Sequence, residues 1–373
     1  MFTIKTSTEK SLEFVLDGID VGYANALRRI VLSEIPNVAI DVNDITISAN
    51  TSSMHNEFLS KRISLLPICF DADEIEGFNE AEAAKYKFVI DKKGTGIGNV
   101  TTGDIEIFDE AGQPYPAAFV KKIFPVDAIT KDHILLAWLK TDEVMRVEFY
   151  AKRGIALTHT RWCPVSTCTY HNTLDDAKVK AARALIDGSN EAELNKFDTL
   201  DKYRLFKINE FGEPCSFTFK IESECNLHPS YMVKRGLEIL RTKVIAIESK
   251  TTVEVIHKET YLYALNVTNE DHTMGNMLQV AMYNNYVRKN KIIDFVGYFQ
   301  PHPLDPNIIF KIRFLENMDD VKRFLNEALR LTAASITEMH DEWTKALVDA
   351  KTVKTVKKKT EKAKASTKKS TVK

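Results

Sequence analysis

The chain lacks most of what marks an enzyme, a membrane protein or a secreted disulfide scaffold. Its longest apolar run, near Ile134-Leu-Leu-Ala-Trp-Leu139, falls far short of the ~20 residues that cross a bilayer, so no membrane association is expected. Five cysteines at 69, 163, 168, 215 and 225 are odd in number and scattered, which excludes a disulfide framework and fits a reducing, intracellular compartment. The opening Met1-Phe-Thr-Ile-Lys-Thr6 has no basic start followed by an apolar core, so a secretory leader is not expected. No clustered carboxylates, nucleophile elbow or metal-ligand set points to a catalytic centre. Gly94-Thr-Gly-Ile-Gly98 is not closed by Gly-Lys-Ser/Thr and reads as a β-turn, not a phosphate loop. His159, Cys163, Cys168 and His171 have a spacing unlike the paired C-x2-C of zinc knuckles, and no metal is assigned to them.

Net charge is nearly absent too, at −1, but the sum hides an asymmetry. Residues 351–373 hold ten Lys and one Glu, so this tail carries +9 and the other 350 residues carry −10. A body this acidic is a poor general surface for nucleic acid. The tail cannot bury enough apolar area to offset ordering and is expected to be disordered. Three roles stay open for it: a solvated end, an import-like signal, or loose contact with nucleic acid or an acidic neighbour.

What the chain does have is repetition. Aligning Asn25 with Asn276 pairs Ala24 with Gly275, Leu27 with Leu278, Ile30 with Ala281 and Val31 with Met282. These matches follow the i, i+3, i+4 rhythm of one apolar helix face. Phe217-Thr-Phe-Lys-Ile221 is echoed by Ile308-Ile-Phe-Lys-Ile312, and Val233-Lys-Arg235 by Val321-Lys-Arg323. Two copies of a helix, strand, helix unit are therefore expected, able to pack face to face like the halves of a dimer. Asn25 lies 194 positions before Phe219, whereas Asn276 lies 34 before Phe310. The first copy thus holds some 160 extra residues, enough for a separate, mostly β domain.

The pattern predicts a strand ending at Leu16, helices over 23–34 and 56–64, and a strand over 38–48. It also predicts strand pieces at 86–90, 105–108 and 144–150, and a helix near 175–185. Two long helices follow over 229–247 and 319–348. Val233, Leu237, Leu240 and Val244 on the first, and Phe324 and Ala328 on the second, form stripes at 3/4 spacing. With Leu27, Ile30 and Leu278 they are the expected interface between copies. Asp271 and Thr273 are expected to cap a helix. The fold class is α+β, with a pseudo-dimeric core formed by 1–38 and 210–247 together with 258–350. An inserted domain spans 39–209, a linker 248–257, and the basic tail 351–373.

At this point the residues carry a family. Gly22-Tyr-Ala-Asn-Ala-Leu-Arg-Arg-Ile-Val-Leu-Ser-Glu-Ile-Pro36 and Asn56-Glu-Phe-Leu-Ser-Lys-Arg-Ile-Ser-Leu-Leu-Pro-Ile68 resemble the α-like subunit of multisubunit DNA-directed RNA polymerases (archaeal D, the eukaryotic third-largest subunit). Asn269-Glu-Asp-His-Thr-Met-Gly-Asn-Met-Leu278, Phe295-Val-Gly-Tyr298 and Pro301-His-Pro-Leu304 resemble its small L-type partner. Both in one chain resemble the fused arrangement of large cytoplasmic DNA viruses. That arrangement implies the cytoplasm of an infected cell and the virion, or otherwise nucleus or cytoplasm.

The resemblance implies a non-catalytic assembly platform, an intramolecular D/L-type pair that recruits the second-largest and then the largest subunit, with small subunits alongside. No cofactor is expected on this chain, magnesium belonging to other subunits. DNA would be met only through the complex, and no homo-oligomer is needed. Arg28, Arg29, Glu57 and Arg62 match the family's docking surface for the second-largest subunit. Adjacent arginines on a helix packed by Leu27, Ile30 and Val31 are expected to point away from that core, as forks for an interface. Tethering would make pairing of the copies intramolecular. The rival readings are a free-standing nucleic-acid binder acting through the lysine tail, and an enzyme in its own right.

Overall fold

Alternation along Ser11–Asp17 buries Leu12, Phe14 and Leu16 while the residues between them face outward, the mark of a strand with one covered face. This strand, β2, follows β1 (Phe2–Ser7) and leads into α1 (Val21–Ser33). The computed structural model describes residues 1–188 and 190–370, with side chains to Ala350. It divides into two compact units. One comprises 1–31, 168–221 and 233–373, the other 32–167 and 222–232.

The first unit holds both copies. After α1 the elements shared by the two copies are β3 (Val165–Asn172), β4 (Ser216–Ser223), α2 (Pro229–Lys250), β5 (Thr251–His257), β6 (Leu262–Thr268), α3 (His272–Met282), β7 (Ile293–Phe299), β8 (Asn307–Phe314) and α4 (Val321–Ser370), with shorter helices at Asp176–Ala184, Glu191–Thr199 and Tyr283–Lys289 between them. The first sheet runs β1-β2-β4-β3 and the second β5-β6-β8-β7. Adding four to every label converts one order into the other. The repeat read from side-chain pattern is therefore a repeat of topology, and the α+β class with two like domains stands. Within the second sheet every pairing is antiparallel.

Local chemistry sets the helices. Asp20 accepts from the Gly22 amide at 2.9 Å and Asp271 from the Thr273 amide at 2.7 Å, satisfying first-turn donors that have no partner inside the helix. Pro36 disfavours helical geometry at Ile35, and α1 ends two residues earlier. Glycine suits positions where a neighbouring element approaches closely. A Cβ on Gly275 would fall against the Tyr298 ring of β7 at 2.4 Å, and one on Gly236 of α2 would stand 3.2 Å from Val31 and 3.3 Å from Leu27 of α1.

The other unit is built on the sheet Asn37–Asn50, Val144–Gly154, Lys87–Lys93, Glu106–Phe108, in that order, beside a two-stranded sheet of Gly98–Thr101 and Leu135–Leu139. Phe88 and Phe149 stack between strands at 5.3 Å. Short helices at Asn56–Ser64, Ala72–Gly77, Glu80–Ala84 and Ala117–Ile123 complete it.

Three expected boundaries move. The insertion ends near 167, not 209, because β3 is the edge strand of the first sheet. Tyr170 on β3 places its ring 5.4 Å from Phe217 and 5.3 Å from Phe219. The stretch 248–257 is no linker: the helix runs to Lys250 and continues directly into β5, whose β-branched Thr251, Thr252, Val253, Val255 and Ile256 suit a strand. Helical backbone also continues past 350 to Ser370, since Ala, Lys and Glu favour helix without any apolar stripe. The tail's side chains and residues 371–373 lie outside the described residues.

Candidate functional site

The polar side chains that join the first copy to the second define the best-built site. Arg29 of α1 donates Nε to Thr273 Oγ1 at 2.7 Å and a terminal nitrogen to Asp271 at 2.8 Å. The fork thus holds the α3 cap Asp271 and the first-turn Thr273 whose amide that cap accepts. Burial tends to raise the Asp271 carboxyl, but bonds from Thr273 and Arg29 outweigh it and hold the group below its usual range.

At the end of α2, Lys250 lies 2.8 Å and Lys243 3.3 Å from Glu270, whose side chain has no exposed surface. Two half-covered ammoniums of one copy thus neutralise one buried carboxylate of the other. On the far side, Arg288 grips Glu213 with two nitrogens, at 2.9 and 2.5 Å. The Arg288 guanidinium also lies 4.3 Å from the Phe211 ring centroid and 4.8 Å from that of Tyr283. The Arg288 bond, helped by Asn209, pulls the Glu213 carboxyl down to about 2.

Apolar contacts between the copies run through α4. Trp343 is fully buried, its ring 5.2 Å from Phe2 and 5.1 Å from Phe14 of the first sheet. Burial pushes the Tyr23 hydroxyl of α1, which lies beside Thr332 and Ser335 of α4, to about 12. Gly22 of α1 faces Val280 of α3, which a Cβ at 22 would meet at 3.2 Å.

Leu27, Ile30, Val233, Leu237, Leu240, Val244, Leu278, Phe324 and Ala328 are all buried. Leu27 and Ile30 flank Gly236 of α2, within their own copy. Phe324 packs edge-on against Tyr286 and Phe314 of its own copy, because it opens α4 directly above the second sheet. It therefore fills that copy's own core.

Of the expected docking residues, Arg28 folds back on Asn25, at 2.9 and 3.0 Å. Arg29, with 37% of its side chain exposed, is held by Asp271 and Thr273 at the α3 cap. Glu57 and Arg62 belong to the other unit, exposed on the helix Asn56–Ser64. Arg62 donates to the Leu135 carbonyl at 2.6 Å, tying this helix to the strand Leu135–Leu139. These two elements carry Phe58 and Trp138, exposed at 68% and 63%. The sequence reading passed over both, although Leu59 and Ile63 on the inner face of the helix left Phe58 outside. Exposed aromatics beside an arginine are the composition of a protein interface.

Two of the residues weighed for zinc, His159 and Cys163, serve nearby backbone. His159 accepts from the Arg161 amide at 3.1 Å and Cys163 bonds the Leu32 carbonyl at 3.4 Å. Among the described residues no group of three or more His, Cys, Asp or Glu is placed to hold a metal ion. No helix among them is long and apolar enough to cross a membrane.

Comparison with known proteins agrees with this architecture. The family described as the RNA polymerase Rpb3/Rpb11 dimerisation domain matches residues 13–244, and a second domain of that description matches residues 263–342. The chain is 26% identical to DNA-directed RNA polymerases IV and V subunit 3B of Arabidopsis thaliana, over 65% of this chain and 88% of the relative. It is 27% identical to DNA-directed RNA polymerase II subunit RPB3 of Schizosaccharomyces pombe, over 66% and 85%. It is 26% identical to DNA-directed RNA polymerase subunit Rpo3 of Pyrococcus horikoshii, over 64% and 93%. The chain therefore belongs to the RNA polymerase Rpb3/Rpb11 dimerisation-domain family, as an Rpb3-like polymerase subunit that carries a second such domain.

Proposed function

We propose that the chain is a non-catalytic assembly platform of a DNA-directed RNA polymerase, a D/L-type heterodimer made within one polypeptide. The observation that carries this reading is the shared strand order of the two sheets, joined by the Arg29, Glu270 and Arg288 contacts. A dimerisation domain whose partner domain sits in the same chain has its pairing surface covered. What remains for outside partners is surface such as Phe58, Glu57, Arg62 and Trp138.

On this reading that surface recruits the second-largest subunit, with the largest and the small subunits joining afterwards. Any magnesium chemistry lies in those other subunits. A fused platform of this kind fits a polymerase of large cytoplasmic DNA viruses, working in the infected cell's cytoplasm and carried in the virion.

The test is co-expression of the full chain with the second-largest subunit of the same source. Phe58→Glu combined with Arg62→Glu is expected to leave the fold intact and to weaken co-purification by about tenfold or more, as loss of a central aromatic anchor does. Unchanged recovery would reject this docking surface. Nucleotidyl transfer by the isolated chain would reject the non-catalytic role.

A further inference from the structure

The helices α2 and α4 do not close upon each other along their whole length. Asn326 donates to Glu248 at 2.7 Å at one end, and His340 lies 3.7 Å from Glu238 at the other. Moving from 326 to 340 on α4 thus runs from 248 back to 238 on α2, so the helices are antiparallel. Between these two points lies a groove of about 470 Å³ lined by Arg241, Ile245, Leu329, Arg330, Ala333 and Ala334. At 1.5 Å per residue it is roughly 15 Å long, about three helical turns.

Its floor is apolar, with Leu329 and Ala333 covered by neighbouring structure while Ile245 stands 56% exposed on one wall. Its rim is basic. Arg241 and Arg330 are exposed, and neither makes an ion pair or hydrogen bond among the described residues. The acidic groups at its two ends, Glu248 and Glu238, are engaged with Asn326 and with Arg235.

We propose that this groove is a docking site for a short amphipathic segment of a partner protein that carries apolar anchors flanked by acidic side chains. Apolar side chains at helical spacing would seat on Leu329, Ala333 and Ile245, as in helix-in-groove recognition. Flanking carboxylates would pair with Arg241 and Arg330, whose forks have no competing partner. The sign of the charge selects the occupant. The chain's own Lys-rich end carries +9 and is repelled by the same rim. The inference uses only α2 and α4 and does not depend on the polymerase reading.

The probe is a pool of labelled peptides about ten residues long, with Leu or Phe at i, i+3/i+4 spacing and Glu at the flanks, titrated against the full chain. A matched pool carries Lys at the flanks. Saturable binding of the acidic pool is expected, weakened about tenfold or more by Arg241→Glu with Arg330→Glu, and by Ala334→Trp, which fills the groove from its exposed wall. The charge-reversed chain should instead bind the lysine pool, a rescue that a merely unfolded variant does not give. No saturation in the acidic pool below about 1 mM, equal binding of both pools, or indifference to Ala334→Trp overturns the proposal. Concentration-dependent self-association that Ala334→Trp abolishes also overturns it, giving the groove to a second copy of the chain.

Discussion

Trp343→Ala removes the largest side chain that α4 buries. Trp343 is fully covered and meets both Phe2 and Phe14 of the first sheet. Large-to-small changes of a buried tryptophan cost about 3–5 kcal/mol, the sum of lost transfer energy and a partly collapsed cavity. Two aromatic contacts at good edge and tilted geometry place this site toward the upper part of that range. For a unit of this size each kcal/mol lowers the midpoint by about 2–4 °C, so a fall of roughly 8–18 °C is expected. Urea unfolding followed by tryptophan-independent circular dichroism gives the free energy, and a thermal scan gives the midpoint. A loss below about 1 kcal/mol would refute the reasoning, because it would mean that α4 does not rest on the first copy's sheet.

Two further perturbations probe the polar seam. Glu270→Leu removes the carboxylate that Lys243 and Lys250 share. The lysines keep 19% and 31% of their exposure and can turn toward water, so the expected cost is about 1–3 kcal/mol, less than for a fully buried pair, read by urea denaturation. For Glu213 the folded value of about 2 lies below the usual 4.5. Its bond to Arg288 therefore stabilises the fold above pH 4.5, and that contribution is lost as pH falls from 4.5 toward 2. Arg288→Ala is expected to flatten the midpoint-against-pH curve in that window relative to the unaltered chain, and parallel curves would contradict the assignment.

Much of this fold is written in side-chain periodicity. The helix expected over 56–64 occurs at Asn56–Ser64, and Asp271 caps α3 as its position next to Thr273 suggests. The copy-to-copy alignment is legible because burial imposes the same apolar face on both helices. What is hidden is non-local. Nothing in the spacing of Val165–Asn172 says that this strand crosses back to the first sheet after more than a hundred residues of insertion. Arg29 beside Arg28 reads as a fork for an outside partner because Asp271, which it bonds, lies 242 positions away. Phe324 fits the apolar stripe of α4 either way, and only the placement of Tyr286 and Phe314 decides which core it fills. The strand β5 reads as a tether since its outward side chains are polar or exposed, as an edge strand permits.

The central claim is that the two related copies in this one chain lie against each other, α1 on α3. A Cβ at position 22 would stand 3.4 Å from the Val280 Cβ, close to the separation that a disulfide spans. The decisive measurement is therefore oxidation of the Gly22→Cys, Val280→Cys double variant under mild conditions, followed by non-reducing electrophoresis and peptide mapping, with each single variant as control for the five native thiols. A disulfide joining positions 22 and 280 within the monomeric chain is the expected result. A folded double variant that forms no such bond would contradict the account.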